Sequence, residues 1–251
     1  MGSKKIDSND IQFMNNLLRP EGFYSFVKLS GGKIKNRYYK LSEILGRYMD
    51  ICNSIKGELV LDINKFLYDF VYTYKIYDDP ENFIFTAFYR ILWNVEKISD
   101  IVKKYNIQIE EFYISDLHRV MTGNVLRNIK KDYLSTAEKN NEPICIIKFE
   151  PYNDLKNRID LPQEYRDFLI IDGNHRLHAK FIKNETSKFR FLNKKSEKIK
   201  AYVLDNKFHM ELICNDRIAL IYKINANINF LREYTIGSIN QMELEEKLYE
   251  I

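Results

Sequence analysis

The sequence predicts an α/β (or α+β) fold: a small mixed sheet with flanking helices, joined to a mainly helical N-terminal region. Three observations carry this. From about Ile107 to Asp205 strand and helix signals alternate. Ile144-Cys145-Ile146-Ile147 is an apolar run of strand length, as a strand buried on both faces requires. Ile170-Ile171-Asp172-Gly173-Asn174-His175-Arg176-Leu177-His178-Ala179 reads as a strand end, a tight turn and a helix start.

The chain has 251 residues, 45% of them hydrophobic and 29% charged, which fits a folded protein and excludes a disordered one. With 18 Tyr and 16 Phe a sizeable core is within reach. The net charge of +4 permits an anionic partner without demanding one. No apolar run is long enough to span a bilayer and no secretory signal stands at the N-terminus, so a cytoplasmic protein with no membrane partner is expected. Cys52, Cys145 and Cys214 are far apart and odd in number, and read as reduced, buried thiols.

Three segments are expected: a mainly helical one over 1–105, the α/β unit over 106–205, and a set of short helices over 206–251. In the first, Phe23 to Leu29 and Ile34 to Tyr39 flank Ser30-Gly31-Gly32-Lys33 as in a hairpin. A helix is expected over Ile63 to Tyr74. A second should start at Asp79-Pro80-Glu81, a capping carboxylate followed by Pro at the first helical position. Ile84, Phe88, Ile91, Leu92, Val95, Ile98 and Val102 then follow at helical spacing. In the α/β unit, strands are expected at Phe112 to Ile114, Pro143 to Phe149, Phe168 to Ile171 and Lys198 to Leu204. A helix should cover Leu126 to Lys139, with Ile129, Tyr133, Leu134 and Ala137 on one face.

The strand–turn–helix at Asp172 is the candidate site. The first N–H groups of a helix lack intrahelical acceptors and attract anions. Arg176 offers a guanidinium fork that matches phosphate geometry, its alternative being a salt bridge to a carboxylate. His175 is a candidate phosphate donor or acid/base, its alternative a capping or core histidine. Gly173 suits a turn that needs positive φ. Asp172 is a candidate Mg²⁺ ligand or proton acceptor, with an Asx turn as the alternative. His175 and His178 stand three apart, a weak zinc pattern with no third ligand evident. His118 and His209 are isolated. Glu142 and Glu150 flank the strand at 144, and either is a candidate general base.

Asp172-Gly173-Asn174-His175-Arg176-Leu177-His178-Ala179 resembles the signature of the ParB/sulfiredoxin-like superfamily, whose members end a strand with a Gly-rich turn followed by a basic pair and an Ala-bearing helix. Asn124-Val125-Leu126-Arg127 resembles the Arg-bearing step before a helix in ParB-like domains. Glu142-Pro143-Ile144 resembles their Q-P-I strand entry. The resemblance covers Phe112 to Asp205 and none of the first hundred residues. It implies a nucleotide site in which Gly173, Asn174, His175, Arg176 and Arg127 hold the phosphates of ATP, ADP or CTP, with Mg²⁺ at Asp172. Reactions in the superfamily diverge, so the fold does not fix the chemistry. Asn174 stands where sulfiredoxins carry their reactive Cys, which argues against sulfinic acid reduction. Only 46 residues follow Asp205, and no helix-turn-helix pattern is evident there, which argues against a partition clamp. The D-G-x-H-R form is closest to the kinase branch and to DNA-modification-linked proteins with D-G-Q-H-R.

From Arg176 to Lys200 nine Lys and Arg residues face only Glu185 and Glu197. Lys188, Arg190, Lys194 and Lys195, with Phe189 and Phe191 interleaved, form a candidate nucleic-acid contact, the alternative being a solvated loop. The first functional expectation is therefore a nucleotide-dependent phosphotransferase or NTPase. The second is a DNA-binding or nuclease-type protein of a plasmid, phage or DNA-modification system.

Overall fold

The protein's structure is a computed structural model that describes residues 3–5, 17–55, 58–60, 67–79, 82–121, 129–152, 160–186, 197–213 and 215–251. Among them are strands β1 (Ser3–Lys5), β2 (Glu58–Val60), β3 (Leu67–Asp79), β4 (Asn82–Asn94), β5 (Ile109–Tyr113), β6 (Ile144–Lys148), β7 (Phe168–Asp172) and β8 (Lys198–Leu204). The helices are α1 (Pro20–Leu29), α2 (Leu41–Ser54), α3 (Ile98–Lys104), α4 (Ile114–Val120), α5 (Leu134–Lys139), α6 (Asn174–Thr186), α7 (Asn206–His209), α8 (Asp216–Thr235) and α9 (Gln241–Lys247).

The architecture is mixed α+β around a four-stranded mixed sheet of order β5-β8-β6-β7. β6 pairs with β8 in parallel and with β7 antiparallel, and β5 runs antiparallel to β8. Parallel pairing of β6 and β8 needs a crossover, and the chain makes it through β7 and α6. The sheet is covered on both faces. Ile144, Ile146, Phe168, Ile170, Ile199 and Ala201 pack with Leu117 of α4 and Leu177 of α6. Cys145, Ile147, Leu169, Ile171 and Leu204 pack on the other face with α1, α2 and α8, through Phe26, Leu45, Ile228 and Leu231 among others. Alternate residues of one strand therefore feed two cores, which is why the run at 144–147 is apolar throughout.

The four sheet strands lie within two or three residues of their expected places. Lys198–Leu204 coincides, and β5 starts earlier and ends one residue sooner than expected. Of the expected helix over 126–139, residues 126–128 lie outside the described ones, Ile129 and Lys130 are not helical, and a 3-10 turn (Lys131–Tyr133) runs into α5. In the N-terminal region three expectations are corrected. Phe23 to Leu29 is not a strand but most of α1, with Pro20 in its first turn and Glu21 beside it. Gly31 has φ +80 and Gly32 N–H reaches back to Val27 carbonyl, so the two glycines end a helix in a Schellman motif and make no hairpin turn.

The helix expected over 63–74 is strand β3 from Leu67 on, residues 63–66 lying outside the described ones. The one expected from 79 onward is its antiparallel partner β4 to Asn94, with a 3-10 turn (Val95–Lys97) and then α3 behind it. Asp79 pairs with Asn82, and Pro80 and Glu81 lie outside the described residues. The segment is so rich in aromatic and β-branched residues that apolar positions match a helical spacing and a strand equally well, and strand propensity decides. The N-terminal region is thus helices plus a long hairpin.

At the C-terminus the expected short helices are present as α7, a 3-10 turn (Met210–Leu212) and α9, but between them runs one 20-residue helix, α8. Asn215 caps it, accepting from Arg217 N–H at 2.8 Å. From Ile224 to Arg232 every residue of α8 is buried, so no amphipathic stripe marks it in the sequence. No helix among the described residues is long and apolar enough to cross a membrane.

Candidate functional site: the β7–α6 turn

Asp172 ends β7 opposite Cys145 of β6. Gly173 follows with φ +90, and α6 starts at the next residue, closing its first turn with Leu177 N–H on Gly173 carbonyl at 2.9 Å. A Cβ at Gly173 would lie 2.4 Å from Ile144 Cγ2 and 3.0 Å from Arg176 Nη2. Positive φ and this close approach together restrict the position to glycine.

Arg176 lies across the turn. Nη2 donates to Asp172 Oδ2 at 2.7 Å and to Pro143 carbonyl at 3.2 Å, and Nη1 to Glu142 Oε2 at 3.3 Å. The Arg176 side chain is 13% exposed, Asp172 39% and Glu142 75%. Asp172 is therefore the partner that holds the guanidinium in place, and Glu142 is a peripheral one. Nε is buried with no hydrogen-bond partner among the described residues. The salt bridge named as the alternative role of Arg176 is thus present. Lys180 Nζ donates to Asn141 Oδ1 at 2.8 Å, so two basic residues of α6 tether the segment that leads into β6.

Asn174 turns its amide back onto the strand, Nδ2 donating to Ile170 carbonyl at 3.0 Å, while its buried Oδ1 has no partner among the described residues. Its side chain thus braces the turn against the end of β7. His175 Nε2 accepts from Lys130 N–H at 3.1 Å. A neutral ring with Nε2 accepting carries its proton on Nδ1, which leaves Nδ1–H as a donor. The ring also meets Tyr133 edge-on, with centroids 6.0 Å apart.

His118 is not isolated. Its Nε2 lies 2.9 Å from His178 Nδ1, and its ring stacks on Phe181 with centroids 3.7 Å apart. Burial, and then the neighbouring His178, hold the His118 imidazole down at about 4. Burial and then His175 lower His178 as well. The pair thus links α4 to α6 as neutral rings. His209 is not isolated either: it lies fully buried, with Nε2 3.1 Å from Lys148 carbonyl and 3.3 Å from Tyr222 hydroxyl, and burial holds it at about 4.

Of the two candidate bases, Glu142 is at the turn. Glu150 belongs to the opposite core: its N–H donates to Tyr222 hydroxyl and its carboxylate accepts from Tyr249 hydroxyl. Cys52 and Cys145 are free and buried, and burial raises both thiols, Cys52 to about 12. Neither suits a nucleophile.

Arg127, Lys188, Arg190, Lys194, Lys195 and Cys214 lie outside the described residues. Of the described cations of the basic run, Arg176 and Lys180 are held as above, Lys183 lies 2.9 Å from Glu138 and Lys198 3.6 Å from Glu111, and Lys200 is exposed. Among the described residues no group of three His, Cys, Asp or Glu is placed to hold a metal ion.

Lys130 and Tyr133 are the site neighbours that sequence reasoning does not assign, because a contact 45 residues away in sequence leaves no local signal. No family model matches the chain, and no curated protein or solved structure matches it either.

Proposed function

We propose that the β7–α6 turn binds the phosphates of a nucleoside di- or triphosphate, ATP, ADP or CTP, and that the protein carries out phosphoryl transfer or nucleotide hydrolysis there. One observation carries the reading: a strand ends in a positive-φ glycine, a helix starts at the next residue, and a guanidinium is pinned beside that start. The first N–H groups of α6 have no intrahelical acceptor and offer partial positive charge. Arg176 adds a guanidinium whose charge Asp172 partly offsets. An incoming phosphate competes with exposed Glu142 for Nη1, while Asp172 keeps the guanidinium aimed. His175 Nδ1–H is a further donor to a phosphate oxygen. The resemblance of Asp172–Ala179 to the ParB/sulfiredoxin-like signature supports the same assignment.

Mg²⁺ suits this arrangement with Asp172 as its single protein carboxylate, since Mg²⁺ takes most of its remaining ligands from phosphates and water. It would supply charge neutralisation on the transferred group. The alternative role of Asp172 is to accept a proton from the attacking hydroxyl or water in place of holding the metal.

The test is calorimetric titration of the full chain with ATP, ADP and CTP, with and without Mg²⁺. Arg176→Ala should abolish binding and Arg176→Lys, which keeps charge but loses the fork, should weaken it. Unchanged affinity in a folded Arg176→Ala protein refutes the phosphate site.

A second reading, a DNA-binding or nuclease-type protein using the same turn for a DNA phosphate, draws on the nine cations between 176 and 200. The pairing of Lys183 and Lys198 within the chain reduces the charge available for it. Steeply salt-dependent DNA binding without nucleotide turnover would favour it.

A further inference from the structure

Tyr133 ends the 3-10 turn Lys131–Tyr133 and is 58% exposed. Single exposed aromatics are ordinary. Tyr133 differs by its attachments. Its ring meets His175, the second residue of α6, at 6.0 Å and 62°. The chain three residues before it is tied to the same imidazole by the Lys130 N–H bond to Nε2. The Lys130 ammonium lies 5.7 Å from the Tyr133 ring centroid. An exposed aromatic, an ammonium and an imidazole donor thus stand together beside the helix start, fixed to it by a backbone hydrogen bond.

We propose that Tyr133 is the stacking platform for the base of a nucleoside polyphosphate, with Lys130 as the cationic edge of that subsite. The inference rests on the phosphate site at Asp172–Arg176 and names what lies beyond it. A ligand whose phosphates sit on the first turn of α6 and whose next group passes His175 meets the Tyr133 ring. An aromatic ring accepts any base, because every base has a π-face. The subsite therefore separates nucleotides from base-free polyphosphates and distinguishes ATP from CTP only weakly.

The experiment titrates wild type, Tyr133→Ala and Tyr133→Phe with ATP, CTP and inorganic tripolyphosphate, each with Mg²⁺. Wild type should bind both nucleotides more tightly than tripolyphosphate. Tyr133→Ala should lose about tenfold or more for ATP and CTP while tripolyphosphate affinity stays within about twofold, the size expected for one lost base–aromatic stack. Tyr133→Phe keeps the ring and should keep nucleotide affinity. Trp93 is the sole tryptophan and is fully buried, so in Tyr133→Trp a quench of the exposed indole on adding ATP but not tripolyphosphate reports the contact directly. The platform is overturned if tripolyphosphate binds and Tyr133→Ala leaves ATP affinity unchanged. If wild type binds neither tripolyphosphate nor nucleotide, the phosphate site itself falls and the platform falls with it.

Discussion

Arg176 donates to Asp172 at 2.7 Å across Gly173, so one ion pair spans the turn that joins β7 to α6. Glu142 is a second partner at 3.3 Å, but it is 75% exposed where Asp172 is 39% exposed. The two carboxylates should therefore contribute unequally. A double-mutant cycle on Arg176 and Asp172 is expected to give a coupling of about 1 kcal/mol, and one on Arg176 and Glu142 a coupling near zero. Urea denaturation of the two sets of single and double variants measures both. Equal couplings would mean that Glu142 holds the guanidinium as firmly as Asp172 does.

Gly173→Ala should be the most damaging small substitution at the turn. The new methyl would lie 2.4 Å from Cγ2 and 2.7 Å from Cβ of Ile144, a fully buried core residue that cannot retreat. The backbone would also hold alanine at φ +90. Left-handed strain and overpacking together should cost about 3 kcal/mol, read as a lowered urea midpoint with an unchanged slope. Gly46, where a Cβ meets nothing within 4 Å, is the control, and Gly46→Ala in the middle of α2 should be neutral or stabilising. A neutral Gly173→Ala would contradict the turn geometry.

Stability should fall on mild acidification because of two histidines, His209 fully buried and His118 half-buried. Burial holds His209 at about 4, and burial with His178 holds His118 at about 4, against 6.5 in the unfolded chain. Between these values the unfolded chain binds protons that the folded one refuses. The stability is thus complete above pH 6.5 and is lost as pH falls toward 4. For His209 the slope is on the order of 1 kcal/mol per pH unit. His118 is only partly buried and contributes less. Urea midpoints between pH 4.5 and 8 measure the slope, and His209→Gln should flatten it more than His118→Gln. A flat profile in wild type would show that both rings protonate freely in the folded protein.

The parts of this molecule legible from sequence are those whose signal is local. The strand end at Asp172, the glycine turn and the start of α6 all follow from adjacent residues, and the structure has them in place. The hairpin over 67–94 is illegible for a definite reason. Its apolar residues are too dense to carry a period, and Asp79-Pro80-Glu81 suits a helix start as well as a break between strands. α8 reads as fragments because Asn225, Asn227 and Asn229 interrupt its apolar residues, yet all three are buried. The pairing of His118 with His178 spans 60 residues, and that of His175 with Lys130 spans 45. Such contacts arise only when two elements pack, and no spacing announces them.

Those buried asparagines give the last prediction. Asn227 is fully buried; its Nδ2 donates to Tyr249 carbonyl at 3.0 Å and to Tyr48 hydroxyl at 2.6 Å, and its Oδ1 accepts Tyr249 N–H at 2.8 Å. One side-chain amide thus stands in for a neighbouring strand and pins the C-terminal segment to α8. Asn227→Leu conserves much of the volume but strands the N–H and C=O of Tyr249. Leaving these groups without partners should cost about 3 kcal/mol. Removing residues 249–251 takes away the same backbone groups, together with the Tyr249 ring that packs near Tyr222 and Phe230. In the shortened chain Asn227→Leu should therefore cost far less than in the full one, because most of the partners it orphans are already gone. Urea denaturation of the four proteins decides the point: strictly additive losses would show that Asn227 stabilises α8 independently of the C-terminal segment.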